Sequence, residues 1–129
     1  MRSNQNASMR ILIIDDVEEI RELFALLLRL EGAQVVAAGS GREAMKMVRQ
    51  RPFDVVLSDL GLPDIPGDML IPQILAASKG RTRVAVISGC GEPDLTLARE
   101  AGAEAVFRKP VDWSALIEYL RDAGLAASA

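Results

Sequence analysis

Asp15-Asp16, Asp59, Ser88 and Lys109 are the residues whose types and spacing could do chemistry together in this chain. Each follows a short apolar run: Ile11 to Ile14 before the acid pair, Val55 to Leu57 before Asp59, Val84 to Ile87 before Ser88, and Ala105 to Phe107 before Lys109. Such runs read as strands covered on both faces, and a parallel sheet binds its ligands beyond the carboxyl ends of its strands. Three carboxylates, a hydroxyl and an ammonium would then meet at one edge. Two carboxylates ~4 Å apart repel by about 4 kcal/mol at an effective dielectric of ~20. A divalent cation relieves this, because its two charges and that of Lys109 balance the three acids. Oxygen-only donors select a hard ion, and a site left open to water and phosphate suits Mg²⁺. One carboxylate is then able to attack phosphorus, while the ion and Lys109 stabilise the charge of the transferring phosphoryl group.

The segments between these residues must set the strands side by side. Ile20, Leu23, Phe24, Leu27 and Leu30 recur at three- and four-residue steps, an inward stripe on an amphipathic helix that Gly32 closes as a left-handed cap. Residues 34–38 read as a second strand with no chemistry at its end. Ser40 and Glu43 make a capping box for a helix that turns Ala44, Met47 and Val48 inward and stops before Pro52. The stretch 61–67, with Pro63 and Pro66, is a loop. A third helix is expected near 69–78, starting late or distorted because Pro72 removes a hydrogen bond. A short fourth helix covers 93–101, and Asp112 caps a fifth that carries Leu116, Ile117 and Leu120. Strict alternation with short connections predicts an α/β fold, a doubly wound five-stranded parallel sheet with helices on both faces.

Composition narrows the function. A chain of 129 residues is one domain. Its 15 basic and 18 acidic side chains leave a net charge of −3, which argues against direct nucleic-acid binding. The single cysteine, Cys90, excludes an internal disulfide, and reads as an incidental loop residue more readily than as a redox thiol. The absence of histidine excludes Ser-His-Asp triads, His-ligated zinc and phosphohistidine on this chain. No run approaches a signal peptide or a membrane span, so a cytoplasmic protein with no membrane contact is expected. Residues 1–9 and 124–129 read as flexible ends around a domain of 10–123.

Taken together, these residues resemble the receiver domains of two-component response regulators. The resemblance spans Arg10 to about Asp122. It rests on Asp15-Asp16, on Asp59 with Pro63 and Gly67 four and eight residues later, on Ser88, and on Gly102-Ala103 ahead of Lys109-Pro110. It implies a flavodoxin-like (βα)5 fold with strand order 2-1-3-4-5, and Asp59 as phosphoacceptor. Mg²⁺ would be bound directly by Asp16, Asp59 and the Gly61 carbonyl, and by Asp15 largely through water. Ser88 would hydrogen-bond the phosphoryl group, Lys109 would pair with it, and the Lys109-Pro110 peptide would be cis. A histidine kinase or histidine phosphotransfer protein would be the donor. A downstream protein would read the change on the fourth helix, fifth strand and fifth helix, and a weak homodimer is compatible with this. The domain would catalyse only its own phosphorylation and dephosphorylation.

One position departs from the family pattern. Val106 stands where a Tyr or Phe usually serves as a rotameric switch, and the aromatic Phe107 follows it. Because strand side chains alternate, Phe107 is expected to face away from Val106 and into the core.

Other readings carry less. A phosphatase with an aspartate nucleophile usually has a second acid two residues later, where this chain has Gly61. A flavin or nucleotide module needs a Gly-rich first turn, and Asp-Asp-Val-Glu-Glu would repel phosphate there. A receiver acting without phosphorylation, or a piece of a hybrid histidine kinase, stays open. Trp113, opening the last helix, reads as a partly exposed packing residue before a partner anchor.

Overall fold

A computed structural model describes residues 8–89 and 91–126; Cys90 and the outermost ends lie outside the described residues. Five strands alternate with five helices: β1 (Arg10–Ile14), α1 (Glu18–Leu30), β2 (Gln34–Ala38), α2 (Gly41–Gln50), β3 (Val55–Asp59), α3 (Gly67–Ser78), β4 (Arg83–Ser88), α4 (Glu92–Ala101), β5 (Ala105–Arg108) and α5 (Trp113–Asp122). All strand pairs are parallel, in the order β2-β1-β3-β4-β5. The expected topology and strand order are therefore present.

Alternation along the strands divides the core into two layers. Leu12, Ile14, Val56, Val84 and Val86 pack against α2, α3 and α4. Their neighbours Ile11, Ile13, Val55, Leu57, Ala85 and Ile87 pack against α1 and α5. Strands covered on both faces need apolar residues at every position, which is why they read as continuous runs. The packed unit reaches slightly past the expected limits. Met9 and Leu125 are both buried, and Leu125 N–H donates to Leu120 O beyond a left-handed Gly124.

Helix ends follow local chemistry. Gly32 adopts the left-handed conformation after α1, with Ala33 N–H bonded to Leu28 O. Ser40 Oγ accepts Glu43 N–H at 3.1 Å, while the Glu43 carboxylate reaches Gly39 N–H at 2.6 Å. Asp112 Oδ1 accepts Ala115 N–H at the start of α5.

Two expectations are corrected. α3 does not start late: it opens at Gly67 and carries Pro72 in its interior. Pro72 is exposed, on a side where water can satisfy the carbonyl that its missing N–H leaves free. The inward stripe of α1 is also different. Ala25 and Leu28 are buried, whereas Leu23 and Leu30 are 52% and 73% exposed. Leu23 instead lines a surface groove together with Ile20, Phe24 and Leu27.

Candidate functional site

The carboxyl ends of β1, β3 and β4, and the segment after β5, converge as the strand ends suggested. Asp15, Asp16 and Asp59 each offer a carboxylate oxygen, and these lie within 4.8 Å of one another. Asp15 is buried, Asp16 is exposed and Asp59 is intermediate. Lys109 Nζ stands 3.5 Å from Asp59 Oδ2 and 3.7 Å from Asp15 Oδ2, so one ammonium bridges two of the three acids. At 4.8 Å a carboxylate pair still repels by about 3.5 kcal/mol at an effective dielectric of ~20. One lysine against three acids leaves negative charge in excess, and all donors are hard oxygens. That donor set fits a divalent hard cation such as Mg²⁺.

Each side chain is held from its backbone. Asp15 N–H extends the sheet to Ala38 O, and Asp15 Oδ1 accepts Val17 N–H at 2.9 Å. The Arg21 guanidinium donates to Asp15 O, a clamp that the sequence did not disclose. Burial pushes the Asp15 carboxyl above its ordinary range, opposed by the Val17 hydrogen bond and the Lys109 charge. Gly61 N–H donates to Asp59 Oδ1 at 3.1 Å, which sets the first turn of the loop around the acid. Ser88 is fully buried, and its carbonyl accepts Lys109 N–H at 2.9 Å. The Lys109-Pro110 peptide is cis, as the resemblance implied.

Gly67 has a steric reason. A Cβ there would stand 2.8 Å from Leu60 Cα, so only glycine lets α3 start directly against the residue that follows Asp59. Asp64, which sequence reasoning passed over, fastens the same loop to α2 through Gly41 N–H and Arg42 N–H. No periodicity marks such a residue; only the loop's path reveals it.

Residues 11–121 match the response regulator receiver domain family. The chain belongs to that family. The transcriptional regulatory protein GlrR of Escherichia coli K12 is 31% identical over 113 residues, 88% of this chain and 26% of GlrR. The chain thus spans about a quarter of the length of that relative. A CheY-like receiver domain protein from Methanospirillum hungatei JF-1 superposes with a TM-score of 0.84 at 27% identity, over 90% of this chain and 93% of that one. The receiver domain of the sensor histidine kinase PA1611 of Pseudomonas aeruginosa PAO1 shares the fold, with a TM-score of 0.81 at 23% identity over 90% and 97% of the two chains. That structure is described with a magnesium ion in its active-site cleft.

Within this receiver domain, Val106 and Phe107 lie in opposite layers. Val106 packs with the α2–α4 layer and Phe107 with the α1–α5 layer. Phe107 is half-buried and meets Tyr119 edge-on at 5.7 Å, while the Tyr119 hydroxyl donates to Glu104 at 2.8 Å. Burial and that acceptor hold the Tyr119 hydroxyl well above its ordinary pKa, so it stays a donor. Trp113 is likewise half-buried, 6.0 Å from the Phe24 ring. Among the described residues no helix is long and apolar enough to cross a membrane.

Proposed function

We propose that this receiver accepts a phosphoryl group on Asp59 from a phosphohistidine donor. One observation carries the assignment: the Lys109 ammonium bridges Asp59 and Asp15 inside a cluster of three acids at the strand ends. An Asp59 oxygen forms the new bond to phosphorus as the bond from phosphorus to the histidine nitrogen breaks, and the imidazole leaves with that electron pair. Lys109 exchanges its contact with the carboxylate for one with the phosphoryl oxygens. The Ser88 hydroxyl donates to a second phosphoryl oxygen. Asp16, Asp59 and the Gly61 carbonyl would hold Mg²⁺, with Asp15 acting largely through water. When bound, the ion would supply positive charge beside the phosphoryl group. The domain catalyses only its own phosphorylation and dephosphorylation.

The donor's seat is supported by a groove of about 450 Å³ between α1 and the segment after β5, lined by Ile20, Leu23, Phe24, Leu27, Val111 and Trp113. Lys109 and Pro110 also line it, so a protein seated there lies next to the acid cluster that Lys109 bridges. The output is a changed surface on α4, β5 and α5, read by a downstream protein.

Incubation with Mg²⁺ and acetyl phosphate, followed by mass spectrometry of the digest, tests the assignment. Phosphate is expected on the peptide containing Asp59, and only when Mg²⁺ is present. Equal incorporation into Asp59→Asn would remove the basis of the proposal.

A further inference from the structure

The cations of this chain are unevenly placed. Arg49 and Arg51 lie at the end of α2, and Lys79 and Arg81 follow α3. All four line one cleft of about 300 Å³, at the end of the molecule opposite the acid cluster. Among the described residues none of the four makes an ion pair or a side-chain hydrogen bond; Arg10, Arg42 and Lys46 also make none but do not line this cleft, whereas Arg83, Arg99, Arg108, Lys109 and Arg121 all face carboxylates. The nearest acid in sequence, Asp54, is occupied by Arg10 N–H at 2.8 Å.

Helix ends account for part of this charge. α2 and α3 both finish at the cleft, and each C-terminus is equivalent to roughly half a negative charge. Two ends therefore offset about one of the four cations, leaving about three in a chain whose net charge is −3.

We propose that this cleft binds a small ligand carrying two or more linked phosphates. Guanidinium forks bind phosphate oxygens bidentately, and several charges within a short span match a compact oligophosphate. The volume falls at the lower end of small-ligand sites. Its concave form suits such a ligand better than a flat lipid surface or a duplex. Phe53, the cleft's aromatic residue, is 5% exposed and offers no open ring for stacking, so recognition runs through the phosphates. From Phe53 to Asp59 the chain advances six residues, about 20 Å in a strand. The cleft is thus a second site, independent of the acid cluster.

An NMR titration of the ¹⁵N-labelled protein with tripolyphosphate, without Mg²⁺, tests this. Saturable shifts are expected at residues 49–53 and 78–82, weakening as salt is raised. Arg51→Gln combined with Arg81→Gln should lower the affinity at least tenfold. Arg121→Gln, which removes a surface arginine paired with Glu31, should leave it unchanged. The proposal fails if shifts do not saturate, if they spread over all surface arginines, or if the double variant binds as the parent does. It also fails if a pentaglutamate peptide binds the cleft more tightly than tripolyphosphate, which would make it a peptide site.

Discussion

The Asp64 carboxylate accepts the backbone N–H groups of Gly41 and Arg42, each at 2.9 Å, from 23 and 22 residues away in sequence. The loop that leaves Asp59 thereby supplies the anion at the first turn of α2, where unpaired N–H groups and the helix dipole favour one. Ser40 covers the Glu43 N–H, so two side chains share one helix start. Gly41 permits the approach, since a Cβ there would stand 3.0 Å from Ile65.

The Arg42 and Gly41 N–H groups hold the Asp64 carboxyl below its ordinary range. A carboxylate whose folded pKa is depressed stabilises the fold above its unfolded pKa, and that contribution is lost as pH falls through the folded value. Asp64→Asn should therefore melt earlier than the parent at neutral pH and lose less on acidification below about pH 4. Identical melting curves across that range would show that the contact contributes nothing to stability.

Mg²⁺ should raise the melting temperature. An ion that binds only the folded state adds about 2.7 kcal/mol at a hundredfold excess over its Kd. Asp16→Ala should lose most of that gain. Asp15→Asn should lose it too, yet stabilise the metal-free protein at neutral pH. Its folded pKa is raised above 3.8, so the Asp15 charge costs stability increasingly as pH rises through that window. Differential scanning calorimetry with and without Mg²⁺ separates the two variants, and an Asp16→Ala protein that keeps the full gain would exclude Asp16 as a ligand.

Leu23 and Leu27 should matter to a protein donor and not to a small one. Charging the groove with Leu23→Glu is expected to slow phosphoryl transfer from a cognate phosphohistidine protein tenfold or more, with acetyl phosphate labelling unchanged. Parallel loss of both rates would place the damage in the acid cluster, and an unaffected protein donor would place docking elsewhere.

Val106 is β-branched and too short to swing between solvent and core. Activation should then run through α4. Its first turn is tied by exposed Glu92–Arg99 and Glu92–Arg108 pairs at 3.9 and 3.6 Å, contacts worth about 1 kcal/mol or less. A cleft of about 180 Å³ between Leu60, Pro66, Gly67 and Asp68 on one side and Asp94 and Leu97 on the other leaves α4 room to shift. Beryllofluoride should perturb amide shifts chiefly from Ser88 to Gly102. A rotamer change of Phe107 as the largest response would contradict this route.

The site was legible because its residues end apolar runs, and runs of buried parallel strand are among the clearest patterns a sequence carries. Asp15, Asp16, Asp59, Ser88 and Lys109 all stand at the edge their strand positions required. The packing face of α1 was not legible from its leucines. Spacing weighs large side chains, whereas the buried face is the one that carries Ala25 and Leu28. Pro72 misled for a related reason, since its cost falls on an exposed carbonyl that water can serve. Asp64 and Arg21 escaped because their partners come from other elements, and the basic cleft escaped because two separate helix ends assemble it.

The five strands act as a wall through the molecule. The donor's groove draws on Phe24, Val111 and Trp113 from one layer, while α4 is anchored by Ala98 and Ala103 in the other. On the proposed function, the groove and α4 thus rest on separate layers, whereas α5, which opens with Trp113, serves both the groove and the output surface. The rim, where Asp59 and Ser88 end neighbouring strands, joins the two layers at the acid cluster. Groove residues on α1 can drift in such a layout without disturbing the packing of α4.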